Sequence, residues 1–426
     1  MEDMLNDSVA YSSLHQIANT HNLFINQSFN YQKKLGDIIV SAISGINFLH
    51  NTFSSTLKVI DSSYQIKNLG VNFQNDIQFN QLNAYTKLEA TYKINDWQLR
   101  AQLTPTYQRI GFNLKPVEST KENEDYFMLA PSISVDKKWG LHSAVHASYL
   151  SNTTSGLIKD IFPGNIVSDY RSILANNATL PRVKQNKYSL RYTYKKPLKL
   201  FFYNLFSSYT QTNSNTINSF IIDSGVTKQI SMKFHNESPL FSVGGGISKD
   251  LFFVATKISG KFIYSRQSGY NYNNEQINRF HLSNYTANIM AAKKLLQSGI
   301  LSISLNENFY KNWLFTSAKS AKKASNFWNQ HLVLKWEHNI CENVQYQIVY
   351  TDYSAKQNSK AVSSSQFLDL SIQYNPFKWK GYFELKCINL LNEKTYEELN
   401  IRTNGFSLLQ MPLRERRVLL KYTFNF

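Results

Sequence analysis

Long apolar runs are missing from this 426-residue chain. The longest purely apolar stretch, Leu251-Phe-Phe-Val-Ala255, is far short of the ~18 residues that a membrane helix needs. A helical membrane protein is excluded. Cysteine is scarce as well: Cys341 and Cys387 are the two present. They stand far apart, one near a turn and one on a strand, and suggest neither a disulfide framework nor a metal cluster. Acidic residues are outnumbered, 29 against 46 Lys and Arg, for a net charge of +17. The basic residues are scattered along strands and turns without a nucleic-acid motif. Lipid phosphates and a polar interior are therefore the expected partners, and nucleic acid is not.

Aromatics are plentiful, with 28 Phe, 26 Tyr and 6 Trp, yet the mean hydropathy is −0.37. Together with many Thr, Asn and Ser, this suits strands that are wet on one face and greasy on the other. Period-two alternation is the main signal. Leu88, Ala90, Tyr92 and Ile94 interleave with Lys87, Glu89, Thr91 and Lys93. Trp97, Leu99, Ala101, Leu103 and Tyr107 alternate with polar residues, as do Tyr188, Leu190, Tyr192 and Tyr194. A helical repeat of 3.6 residues would not tolerate this. These are strands.

Tight connections near Gly36, Asn95, Gly140, Pro197, Lys249, Gly299, Cys341 and Asn375 alternate with longer polar links near 57–78, 111–124, 152–184, 213–237, 270–278, 313–326, 354–365 and 392–408. Short turns on one side and long loops on the other describe an antiparallel transmembrane β-barrel in the outer membrane, its short turns periplasmic. The fold class expected is all-β, with about seventeen strands, each near the ~9–11 residues that cross a tilted wall. The first strand is expected at about 21–33, starting outside, which leaves 1–20 as a loop-like tail and 21–426 as the barrel. Because single-chain bacterial barrels normally have an even strand number, an odd count with an external start implies missing strands. The segment Met1-Glu-Asp-Met-Leu-Asn-Asp7 has no basic or apolar signal region, so the chain is expected to be a fragment without its natural beginning.

The last strand, Arg417-Val-Leu-Leu-Lys-Tyr-Thr-Phe-Asn-Phe426, places Tyr422, Phe424 and Phe426 on one face. It resembles the C-terminal signature that the barrel-assembly machinery reads. Upstream, Cys387-Ile-Asn-Leu-Leu-Asn392, a loop, and Leu413-Arg-Glu-Arg-Arg-Val418 resemble the closing hairpin of TonB-dependent receptors, with Leu391 in place of the usual Phe. Pro163-Gly-Asn-Ile-Val-Ser-Asp-Tyr-Arg171, Ala175-Asn-Asn177 and Leu180-Pro181 are similar to a branch that carries a carboxypeptidase-like regulatory domain. The resemblance implies a 22-strand parent barrel, an N-terminal plug that couples to the TonB system, and uptake of a bulky solute. The plug is absent from this chain. It also implies partners in outer-membrane lipid and lipopolysaccharide. A passive porin of 16–18 strands and a soluble β-rich binding protein are the alternatives.

No enzyme, cofactor or metal site is expected. His142 and His146 share a strand face but read better as solvated residues of the interior, and His338-x-x-Cys341 lacks the further ligands that tetrahedral zinc needs. The run Gly244-Gly-Gly246 has no following helix to cradle a phosphate, so close packing is the better reading. No Gly-x-Ser-x-Gly elbow occurs. Trp97, Trp139, Trp313, Trp336, Trp379 and Tyr264 are candidates for interfacial girdles. The longest link, 152–184, is expected to cover the mouth and touch ligand through Asp169, Tyr170 and Arg171.

Overall fold

A computed structural model describes residues 11–61, 64–115, 120–169, 172–176, 180–223, 226–273, 276–296, 298–315, 322–376, 380–402 and 405–424. Among these described residues, twenty strands join in one sheet, and two more, Thr395–Arg402 and Gly405–Pro412, form a separate hairpin. Three of the twenty are short: Ile66–Asn68, Ile166–Asp169 and Ser172–Asn176. The remaining seventeen build a wall: β1 (Tyr11–Leu35), β2 (Ile38–Asp61), β3 (Gln74–Ile94), β4 (Trp97–Lys115), β5 (Thr120–Trp139), β6 (Ser143–Ser155), β7 (Arg182–Lys196), β8 (Phe201–Asp223), β9 (Val226–Leu251), β10 (Thr256–Asn273), β11 (Gln276–Leu296), β12 (Gly299–Phe315), β13 (Lys322–Cys341), β14 (Val344–Gln357), β15 (Lys360–Tyr374), β16 (Gly381–Ile388) and β17 (Arg417–Phe424). Each pairs antiparallel with the next. The fold is a large antiparallel β-barrel wall with the strand number read from the sequence.

Two features differ from the sequence reading. The first strand begins at Tyr11, so 11–20 continue the ladder against β2 rather than forming a tail. Much of 213–237, 270–278 and 354–365 is ladder as well, carried by pairs such as Ser214 with Asn236, Asn218 with Ser231 and Asn271 with Asn278. The cause is that backbone pairing needs no apolar side chain. Apolar alternation ends where the strands leave the greasy zone, and the ladder does not.

One face of the wall is apolar and the other polar. On β7, Tyr188, Leu190, Tyr192 and Tyr194 lie opposite Tyr149, Ala147, Val145 and Ser143 of β6 and Tyr209, Ser207, Leu205 and Tyr203 of β8. The intervening Ser189, Arg191 and Thr193 meet Ser148, His146 and Ala144. Many large apolar residues on the first face are exposed, among them Leu190, Leu205, Ile247, Phe262 and Ile289. The second face receives the folded links described below, which makes it the inner one.

Among the described residues, β1 pairs only with β2 and β17 only with β16. With seventeen alternating strands, both edges run from the long-link end to the short-turn end. They cannot pair antiparallel with each other, and the wall has an open seam.

Candidate functional site

The inner face is a hydrogen-bonded polar surface. Asn83 Nδ2 donates to Asn47 Oδ1 at 2.6 Å, Gln108 Nε2 to Asn83 Oδ1 at 2.8 Å, and Ser155 Oγ to Gln108 Oε1 at 2.6 Å. Ion pairs lie on the same face: Glu89 with Lys87 (3.3 Å) and Arg100 (3.5 Å), Glu337 with Lys335 (2.7 Å), and Glu384 with Lys386 (3.0 Å). His146 Nδ1 lies 2.8 Å from Asp136 Oδ1, so it has a carboxylate partner. No group of three metal-ligating side chains occurs among the described residues, and Cys341 and Cys387 are free thiols. At the triple glycine, a Cβ on Gly244 would stand 2.5 Å from the Phe262 carbonyl oxygen and 2.9 Å from Phe206 Cζ. The run permits close packing of β8, β9 and β10.

Two links fold over this surface at the long-link end. In the first, between β6 and β7, Ile161 and Leu180 bury against Ile77, Phe79, Ile110 and Phe112. Phe162 meets Phe53 with ring centroids 4.9 Å apart, and the Arg182 guanidinium sits 3.6 Å over the Tyr126 ring. Two amides clamp its backbone. Buried Asn75 accepts from Gly164 N–H at 2.8 Å and donates to Gly164 O at 3.2 Å and Ser55 Oγ at 2.8 Å. Gln16 on β1 accepts from Val167 N–H at 2.8 Å and donates to Val167 O at 3.0 Å. The short strand Ser172–Asn176 pairs parallel with the start of β9. The link thus reaches from β9 to β1 across the mouth.

The second link joins β16 to β17 and carries the Thr395–Arg402/Gly405–Pro412 hairpin. Leu399 buries against Phe327 and Ala355, and Tyr396 meets Tyr353 edge-on at 5.6 Å. Tyr353 is stacked on His331 at 4.3 Å. Burial, with Glu398 and Tyr353 nearby, pushes the Tyr396 phenol above its ordinary pKa. Beneath the hairpin is a polar recess of about 130 Å³, lined by Asn306, Asn308, Asn329, His331, Tyr353 and Glu397 among others. The Asn-Leu-Leu-Asn motif starts this link. Asn389 and Asn392 both take positive φ, 58° and 63°, a region Asn tolerates better than most residues. The Asn389 amide donates to Glu393 O at 2.8 Å and Arg414 O at 3.3 Å, tying the two ends of the link together.

A larger cavity of about 770 Å³ is lined by Ile25, Phe29, Ile46, Phe48, Tyr107 and Phe127 among others. Most of its lining belongs to the outer, apolar face beside the seam, so it is not a solute site.

The sequence-derived candidates fall as follows. Asp169 is exposed at the end of its short strand, whereas Tyr170, Arg171, Trp379 and Phe426 lie outside the described residues. Trp97 and Trp139 face outward near short turns, with Lys137 Nζ 4.4 Å over the Trp97 ring. Trp336 lies near the same end and donates to Tyr346 OH at 2.7 Å. Trp313 faces outward at the opposite end, beneath Lys311 Nζ at 4.8 Å. Tyr422 and Phe424 share the outer face with Phe383. Of a second aromatic row, sequence reading named Tyr264 alone: Tyr149, Tyr188 and Tyr209 stand in register, as do Tyr264, Tyr285 and Phe309. Its signal was there to find, because Tyr188 and Tyr209 each stand eight residues from the neighbouring turn.

No family profile matches the chain, and no curated protein matches it. Among solved structures, it is similar over 96% of its length to the outer membrane transporter YddB from Escherichia coli, with 76% of that chain covered, 9% identity and a TM-score of 0.32. The closed form of the ferric-catecholate import receptor Fiu from E. coli gives 98% and 82% coverage, 9% identity and a TM-score of 0.34. The siderophore receptor PirA from Acinetobacter baumannii gives 99% and 81% coverage, 8% identity and 0.29. These superpositions are loose, and the strand pairing above establishes the fold without them.

Proposed function

We propose that the chain is the wall of an outer-membrane receptor that takes up a bulky solute in a TonB-dependent manner. The observation that carries the membrane reading is the outer face. On β4, Trp97, Leu99, Ala101, Leu103, Pro105 and Tyr107 form an unbroken apolar stripe, and Arg109, paired with Asp125 at 2.8 Å, follows above it. Ten residues at ~3.3 Å each, tilted by ~40°, span about 25 Å of height, which matches the apolar band of such barrels. Water would penalise that stripe, while lipid accommodates it.

The two folded links support the receptor over the passive pore. Both cover the polar interior at the long-loop end, so selectivity resides at a gated mouth rather than in an open channel. The closing-hairpin motif adds the TonB dependence, which in the receptors it resembles acts through a plug domain. Two edges running the same way can be bridged in antiparallel fashion only by an odd number of strands; five would complete a 22-strand barrel. The wall performs no bond chemistry. Refolding into detergent with heat-modifiable gel migration, and no steady conductance in planar bilayers, is the result expected. A stable open conductance from this chain alone would favour the porin, and a detergent-free soluble monomer would overturn the membrane reading.

A further inference from the structure

Turns that face water are usually built from Gly, Asn, Asp, Ser and Pro. The short turns here present large apolar side chains instead. Leu141 between β5 and β6 is 96% exposed, Leu198 between β7 and β8 94%, Phe253 between β9 and β10 85%, and Ile340 at the end of β13 64%. Leu35, Ile94 and Leu296 are likewise exposed at three further short turns. Two of these turns share one geometry: a short 3-10 turn, Pro197–Lys199 or Phe252–Val254, closed by a left-handed residue, Leu200 (φ 42°) or Ala255 (φ 47°). Side chains with a Cβ seldom take that conformation. The backbone accepts it in both turns, and the tip residues Leu198 and Phe253 stand almost fully exposed.

Lysines surround these tips in a defined direction. Lys137, Lys196, Lys249 and Lys293 share the outer face with Trp97, Phe201 and Thr256, whereas Lys138, Lys195 and Lys294 lie on the inner face. The acids at these turns are Asp37 and Asp96, both exposed, Asp136, which pairs inward with His146, Asp250, which faces inward opposite Lys257, and Glu342; the lysines outnumber them. The depth fits a lipid interface. On β7 the outward apolar stripe from Tyr188 to Tyr194 gives about 15 Å of height; Lys196 follows it on the same face, and Leu198 stands in the turn just beyond, within about 5 Å of that lysine's depth.

We propose that the short-turn rim is a binding surface for anionic phospholipid. The apolar tips insert into the acyl boundary, and the outward lysines hold the phosphate headgroups. This rests on the membrane reading above. Tips and lysines at one depth are the pattern of interfacial anchoring. Charge complementarity selects an anionic over a zwitterionic headgroup, and the near-complete exposure of Leu141 and Leu198 selects lipid over water.

The test is tryptophan quenching in the full chain refolded into vesicles that contain brominated phosphatidylglycerol or brominated phosphatidylcholine. Trp97, Trp139 and Trp336 report from this rim. The wild type should prefer phosphatidylglycerol by roughly fivefold or more, the effect of one or more lysines near a charged surface. Combined Lys137→Gln, Lys196→Gln, Lys249→Gln and Lys293→Gln should remove the preference, while the inward set Lys138→Gln, Lys195→Gln, Lys257→Gln and Lys294→Gln should retain it. Equal quenching by both lipids in the wild type, or equal loss in the two variants, overturns the lipid proposal; a protein partner for the rim would then be sought. Absence of quenching by either lipid, with no heat-modifiable form, overturns the membrane reading itself.

Discussion

Leu205 and Asn204 are neighbours on β8 with opposite surroundings. Leu205 faces outward between Tyr192 and Gly245, and Asn204 faces inward between Thr193 and Gly246. An arginine on the lipid face near mid-depth costs about 2–4 kcal/mol, while interior substitutions are tolerated. Leu205→Arg should therefore destabilise the wall by about that amount in denaturant titrations on vesicles, and Asn204→Arg by less than about 1 kcal/mol. Equal costs at the two sites would contradict the assigned faces. At this scale much was legible from sequence. Period-two alternation alone puts Trp97, Trp139, Trp313 and Trp336 outward, because every strand side chain has only two directions to choose from. The tyrosine row was harder to read, since Tyr fits a girdle and a wet interior equally well until register is known.

The folded links are the elements whose behaviour the structure adds. The mouth link is held by apolar contacts and by the amides of Asn75 and Gln16, which match the backbone of Gly164 and Val167. A buried backbone group that loses its partner costs about 1–3 kcal/mol. Asn75→Ala should therefore raise hydrogen exchange in 158–169 by about tenfold, equivalent to about 1.4 kcal/mol, with strand amides of β7 unchanged. Unchanged exchange in the link would show that the clamp does not hold it. In the second link, Leu399→Ala should loosen the hairpin from Phe327 and Ala355, seen as faster proteolysis between 395 and 412 without loss of the heat-modifiable form. Simultaneous loss of both would place the hairpin in the wall's own folding unit. These contacts were not legible in sequence. Gln16 and Val167 are 151 positions apart, and no local period joins a polar side chain to a distant backbone. Asn389 and Asn392 were visible only as a family motif; their positive φ and the clamp on Glu393 and Arg414 give that motif its physical reason.

For the molecule as a whole, alternation, turn spacing and strand count all pointed to one wall, and seventeen strands form it. The odd strand count with an external start already implied missing strands, and the structure locates the open seam between β1 and β17. The account stands on the two faces: one in lipid, the other in water beneath the covered mouth. Its most direct test is a single-cysteine scan of 188–194 on β7 in a Cys341→Ser, Cys387→Ser background, refolded into vesicles. A water-soluble maleimide should label Ser189→Cys, Arg191→Cys and Thr193→Cys, and lipid-borne nitroxide should quench a probe at Leu190→Cys and Tyr192→Cys, in strict alternation. Uniform labelling along the strand, or protection at every second position without lipid contact, would contradict it.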